Sequence, residues 1–193
     1  FAPVTNKVNP WGGLFDPAAT HAEAANFRAH FVGQVANLSA STSLTAFQME
    51  VPNAYNSALS EASASSTDTN YLYHFGAGPS LFRDDIAAAI PSGSTLTPDD
   101  IVRRAQALSC AGCHRSSNNA ALGDGLVWPP SLGFTHVTER KTEVVDGVTR
   151  YRISDALVNA FLPHRQAVFE DYLNDRPRNA RSAHWAIGDM QTH

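Results

Sequence analysis

Lysine, cysteine and methionine are scarce in this chain, with two of each among 193 residues. Two cysteines are too few for the multi-bridge disulfide scaffold of small secreted domains. The two methionines, Met49 and Met190, leave almost no thioether to serve as a ligand. No apolar run approaches the roughly 18–20 residues of a membrane span, so none is expected. The net charge of −4 argues against nucleic acid as a partner. No internal repeat is visible, which excludes a solenoid. The chain opens on Phe1-Ala2-Pro3, with no basic segment leading into an apolar one, so no signal peptide is read there.

Apolar residues make up 43% and charged residues 17% of the chain, a globular balance with enough length for a real core. Charge is uneven: residues 1–100 sum to −6 and residues 101–193 to +2, which is read first as a solvated surface. Residues 1–15 are Pro- and Gly-rich and predict an extended arm. Asp16-Pro17 supplies a helix start, and Ala24, Phe27, Phe31, Val35 and Leu38 fall three or four apart on one face. A second helix is expected from about Pro52, aligning Val51, Tyr55, Leu59 and Ala62, followed by a loop over 63–70. Residues 79–90 predict a short helix burying Phe82, Ile86 and Ile90, and 91–94 (PSGS) mark a boundary. Thr97-Pro98-Asp99-Asp100 starts another helix, whose face Ile101, Ala105 and Leu108 runs on into the cysteines. Beyond Pro130 the chain alternates, with Asp146-Gly147 at a hairpin tip. Ser154-Asp155 then caps a final helix with Leu157, Phe161, Val168 and Tyr172 in one stripe and a kink at Pro163. The tail is polar.

One motif carries specific chemistry. Cys110-Ala111-Gly112-Cys113-His114 has the C-x-x-C-H spacing of covalent haem c attachment. Residues i and i+3 of a helical turn share a side, so two sulfurs can reach two vinyl groups of one porphyrin, with His114 facing the iron. Ala111 and Gly112 are small enough to let a macrocycle approach the backbone. Three other readings of the pair stay open: a Cys110–Cys113 disulfide, a zinc site using the thiolates with histidines, and a thioredoxin-like redox pair, although no βαβ pattern surrounds it.

From these residues the C-terminal half resembles the class I cytochrome c family. A helix leads into C-x-x-C-H, Trp128-Pro129-Pro130-Ser131-Leu132 stands where the family's proline loop lies, and the helix from Asp155 follows. The resemblance covers about residues 95–175 and implies that the last helix crosses the first, packing Ala105 against Phe169 or Tyr172. The chain is also similar to uncharacterised secreted bacterial haem c proteins ending in comparable ALSCAGCH, WPPSLGFTHV and FLPHR stretches. That likeness implies the C-terminal part of a longer precursor and assigns no activity. The expectation is a mainly α chain: a helical N-terminal extension (1–94), a cytochrome c-like haem domain with a small β-hairpin (95–175), and an extended tail (176–193).

The departure from the family lies at the sixth iron ligand. Class I members offer a methionine between the proline loop and the last helix, and this chain has none there. His136 is the one strong ligand in that window, so bis-histidine ligation by His114 and His136 is expected, which lowers the reduction potential. Its rival is a strand histidine with no task. His74, in an aromatic YLYHFG stretch, is a second candidate or part of an ordinary core. His164, His21 and His30 fit surface or satisfied positions, and Met190 would require the tail to fold back.

The resemblance therefore implies one covalent haem c, held by Cys110, Cys113, His114 and His136 beside Trp128, Pro129 and Pro130. It implies electron transfer outside the bacterial cytoplasm, in the periplasm or beyond, from a processed mature chain. Partners would be a redox-protein donor and acceptor docking over a small patch, with no nucleic acid and no membrane span. Two readings of other classes compete. A peroxidase-like haem enzyme would keep the sixth position open and use His136 or His74 as its acid and base. A haem-bearing structural subunit would assemble through terminal arms anchored by Trp11, Phe15, Trp185 and Ile187.

Overall fold

A computed structural model describes residues 9–40, 43–57, 67–133 and 135–174. Its described part is mainly α with one antiparallel hairpin: α1 (Ala22–Ser39), α2 (Tyr71–Phe75), α3 (Leu81–Ala89), α4 (Pro98–Leu108), β1 (Val137–Val145), β2 (Val148–Ile153) and α5 (Leu162–Asn174). No helix among the described residues is long and apolar enough to cross a membrane. The tail, with Trp185, Ile187 and Met190, lies outside the described residues, as do Leu59 and Ala62.

The apolar spacing of α1 survives folding intact, with Ala24, Phe27, Phe31, Val35 and Leu38 all buried. Its start does not. Asp16-Pro17 forms a turn instead, and the helix begins at Ala22, where the His21 ring accepts from the Ala24 N–H. In α3 the Ser80 hydroxyl caps, and Phe82 and Ile86 are buried while Ile90 is only half-buried. The start of α4 is a full capping box: Thr97 and Asp100 satisfy each other's backbone N–H groups, with Pro98 at the first turn.

Two expectations in the first half fail. Residues 9–15 are no arm: Gly12–Phe15 is a buried 3-10 turn, and Phe15 stacks on Tyr71 at 4.3 Å and meets Phe27 and Phe31 edge-on. An aromatic ring that finds three others gains more by burial than an extended segment gains from solvation. Of the helix expected from Pro52, the described residues form a single 3-10 turn, Asn53–Tyr55, followed by a bridge from Asn56 to Pro10, and the part at Leu59 and Ala62 lies outside the described residues. Residues 91–94 form a turn between α3 and α4, and one hydrophobic core runs past it, taking Phe15, Phe31 and Ile86 together with Ile101, Ala105, Cys113 and Trp128.

The second half has its own departures. α5 buries no residue, and Phe169 and Tyr172 are 58% and 44% exposed rather than seated on Ala105. The segment before it, Leu157–Phe161, is a π-helical turn that runs straight into α5, so Pro163 stands just after that turn inside one continuous helical run. The hairpin pairs Val137 with Ile153 and Val145 with Val148, is bulged between Thr138 and Thr142, and turns at Asp146-Gly147, both at positive φ.

Arg104 ties these parts together. It is 0% exposed, inside α4, and donates to the carbonyls of Leu122 at 2.8 Å and Leu38 at 2.9 Å, and to Asp124 at 3.4 Å. Burial draws its guanidinium below the ordinary range and Asp124 opposes that, so the group stays charged. Truncating one partner of a buried charged network leaves the others unpaired, which costs about 3–5 kcal/mol. Arg104→Ala is expected to lose stability of that order in urea unfolding, and Asp124→Asn, at a partly exposed carboxylate, to lose less. Equal losses for the two variants would contradict this arrangement.

Candidate functional site

The C-x-x-C-H segment does not continue α4. The helix ends at Leu108, and Ser109 adopts an extended backbone with ψ 162°. Its hydroxyl donates to the Gln106 carbonyl at 2.6 Å and accepts from the Gly112 N–H at 3.0 Å, ending one helix and starting the next turn. The Ser109 carbonyl accepts from Cys113, and residues 112–116 close a π-helical turn that places His114 at its outer side. A side chain at Gly112 would run into the Gln106 carbonyl, so glycine is required by this internal packing, whatever approaches from outside.

The rest of the site comes from three distant segments. Asn9, buried, accepts from the Cys110 N–H at 3.3 Å and is itself held by Asn56 at 2.8 Å and Ser57 at 2.7 Å. The proline loop passes behind the motif: Ser131 donates to the His114 carbonyl and exchanges hydrogen bonds with Asn118, while the Pro130 carbonyl accepts from Ala156. His136 directly precedes β1 and reaches the motif from the hairpin's root.

There His136 lies against Cys113 and His114. Its Nε2 lies 3.5 Å from the Cys113 sulfur, and its ring centre lies 4.9 Å from that of His114. Its Nδ1 sits 2.8 Å from the Ser154 hydroxyl. Phe161 packs edge-on against His136 at 5.5 Å and against Trp128 at 5.9 Å. Trp128 is buried, and its indole N–H has no hydrogen-bond partner among the described residues. Pro129 and Pro130 are half-buried beside it.

The remaining histidines among the described residues lie elsewhere or are already occupied. His74, on α2, packs against Gly12 and Tyr73. His21 caps α1, and His30 bonds the Glu50 carbonyl at 2.9 Å. His164 lies half-buried on α5. Met49 is buried in the core. Ser154, Ser131, Asn118, Phe161 and Asn9 escaped sequence reasoning. Ser154 left a trace there as a helix cap, Ser131 as part of the proline loop and Phe161 as part of the last helix's stripe.

Chemically, the site holds two buried free thiols and two imidazoles. Among the described residues no group of three or more His, Cys, Asp or Glu is arranged to hold a metal ion by itself, which gives a zinc site no support. The Cys113–His136 pair has the contact of a nucleophile and base but not the ionisation. Burial, and then the neighbouring Cys110, push the Cys113 thiol up to about 12, so it stays protonated. Burial, and then His114, push the His136 imidazole down to about 4.

A neutral His136 gives the unliganded chain a pH dependence. The unfolded imidazole titrates near its usual 6.5 and the folded one near 4, so between those values the unfolded chain binds more protons. Stability is therefore expected to be full above about pH 6.5 and to fall as pH drops towards 4. His136→Phe should flatten that part of the urea-midpoint profile, and NMR titration of His136 at an ordinary pKa would contradict it.

Comparison with family models, curated proteins and solved structures finds no match to this chain.

Proposed function

We propose that this chain is a monohaem c-type cytochrome that transfers electrons outside the bacterial cytoplasm. In this reading Cys110 and Cys113 would hold the haem through thioethers, and His114 and His136 would ligate its iron. The observation that carries it is the convergence of His136 on Cys113 and His114 from 22 residues along the chain. Nothing in local sequence requires that meeting.

The donor set suits the group. Thioether formation adds each S–H across a vinyl C=C, the sulfur to one carbon and the hydrogen to the other, with no external oxidant. Free thiols are the form that this addition uses, and both cysteines are free. An imidazole that stays neutral down to about pH 4 is a ready metal ligand and a poor acid–base group near neutrality, which favours ligation over a peroxidase-like role. The unpartnered N–H of Trp128 fits the carboxylate side chains a haem carries.

Bound there, haem would supply a one-electron Fe(III)/Fe(II) couple. The chain's contribution is to hold the proximal turn rigid through Ser109 and Ser131, and to close the other side with Phe161 and Trp128. With both axial positions filled by protein, the partners are a redox-protein donor and acceptor rather than a small substrate.

The test is expression with haem c maturation machinery, followed by spectroscopy. The pyridine adduct is expected to be c-type with one haem per chain, and the ferric protein low-spin. His136→Ala should turn the iron high-spin and speed cyanide binding. A b-type adduct, or none, would overturn the cofactor. Rapid cyanide binding to the unmodified ferric protein would favour the open-site enzyme instead.

A further inference from the structure

The Ser154 hydroxyl has no part in the reading above, yet it touches the proposed distal ligand. We infer that Ser154 is the positioning residue of His136, fixing its tautomer, its ring orientation and its strength as a donor; the inference rests on the haem reading. His136 ends the segment entering the hairpin and Ser154 begins the segment leaving it. The two close the hairpin's root twice: the Ser154 N–H donates to the His136 carbonyl at 2.7 Å, and the side chains meet at 2.8 Å. Ser154 is wholly buried, so water does not compete for that contact.

The hydroxyl is held from a third side. Its oxygen accepts from the Leu157 N–H at 3.1 Å, capping the turn that carries Phe161, and Phe161 stands edge-on to the His136 ring at 89°. Serine oxygen has two lone pairs, so it can accept from Leu157 and from His136 together. In the proposed arrangement Ser154 accepts from His136 Nδ1–H, which keeps the imidazole proton there and leaves Nε2, the atom facing Cys113, free to ligate. Turning the ring over would break the Ser154 bond and put Cε1 in place of Nε2 beside Cys113. An acceptor behind a ligating imidazole also raises its basicity, which favours the ferric state.

The experiment uses the haem-loaded full chain with Ser154→Ala and Ser154→Thr. Removing a partner behind a metal-bound imidazole weakens ligation about 10–100-fold. Ser154→Ala is therefore expected to raise the cyanide affinity of the ferric protein by about tenfold or more. It should also raise the midpoint potential, and Ser154→Thr should restore both. Because Ser154→Ala also removes a helix cap, the unmodified reduced protein supplies a second readout: a slowly exchanging His136 Nδ1 proton in NMR. Wild-type cyanide affinity and potential in a folded Ser154→Ala protein would overturn the inference, and so would a freely exchanging Nδ1 proton. His136→Ala separates the two ideas. If it leaves the iron low-spin, the distal assignment itself falls. If it gives high-spin iron while Ser154→Ala changes nothing, only the positioning role falls.

Discussion

A buried guanidinium holds this chain in one piece. Arg104 sits at the middle of α4 with no solvent contact and must satisfy its donors inside the protein. It does so with the last turn of α1, through the Leu38 carbonyl, and with the loop after the C-x-x-C-H turn, through Leu122 and Asp124. Its face also lies 5.4 Å from the Phe47 ring. Three segments that share no sequence neighbourhood are thus bound to one charge, and none can move without leaving it unpaired. α4 is thereby fixed relative to both halves, and the candidate site hangs from its C-terminal end. A second arginine does a similar task at the surface: Arg83 bonds Gly76 and Gly78, pairs with Asp99 at 2.7 Å and lies over Phe75, joining α3 to the start of α4.

This constraint changes the meaning of the first 94 residues. By composition they look dispensable to a haem-sized unit. In the fold they supply the ring cluster around Phe15, the carbonyl that accepts from Arg104, and Asn9, which holds the backbone of Cys110. The Gln106 side chain accepts from Leu72, so α2 is also bonded to the end of α4 just before the motif. The two cysteines therefore rest against residues from both sides of 91–94.

Legibility followed the range of the interaction. Features decided by neighbours three or four residues apart read correctly: the α1 face from Ala24 to Leu38, the Thr97–Asp100 cap, the Asp146-Gly147 turn. Features decided by distant partners did not. The break at Ser109 escaped because a serine between Leu108 and Cys110 leaves the period intact, and only its bonds to Gln106 and Gly112 show the chain turning. Phe15 read as part of an arm because its three ring partners lie as far off as residue 71. The stripe Leu157, Phe161, Val168 and Tyr172 read as one face, but a π turn interrupts its period at Leu157–Phe161 and α5 beyond it buries no residue, while Phe161 packs on His136. Within the site, His136 was singled out because a haem reading of the motif asks for a sixth ligand and few residues in that window qualify. Ser131, Asn118 and Asn9 carry no such chemical expectation, so no pattern could single them out.

The two sides of the candidate site differ in what holds them. His114 lies on a turn bonded to Ser109, Ser131 and Asn118, each anchored in turn to α4 or the proline loop, and it adjoins the fully buried Cys113. His136 lies at the root of a hairpin in which almost every residue is exposed, including Val144, Val148 and Tyr151. An isolated two-stranded hairpin is marginal in water, and this one buries little against the body. Local opening is cheapest where buried contacts are fewest. The His136 side therefore opens first, and its resistance to opening is concentrated in the Ser154 pair and the Phe161 ring rather than spread along the strands. The motif that is specific in sequence thus lies on the rigid side. The residue inferred from what the chain lacks lies on the yielding side, where a small number of contacts decides its orientation.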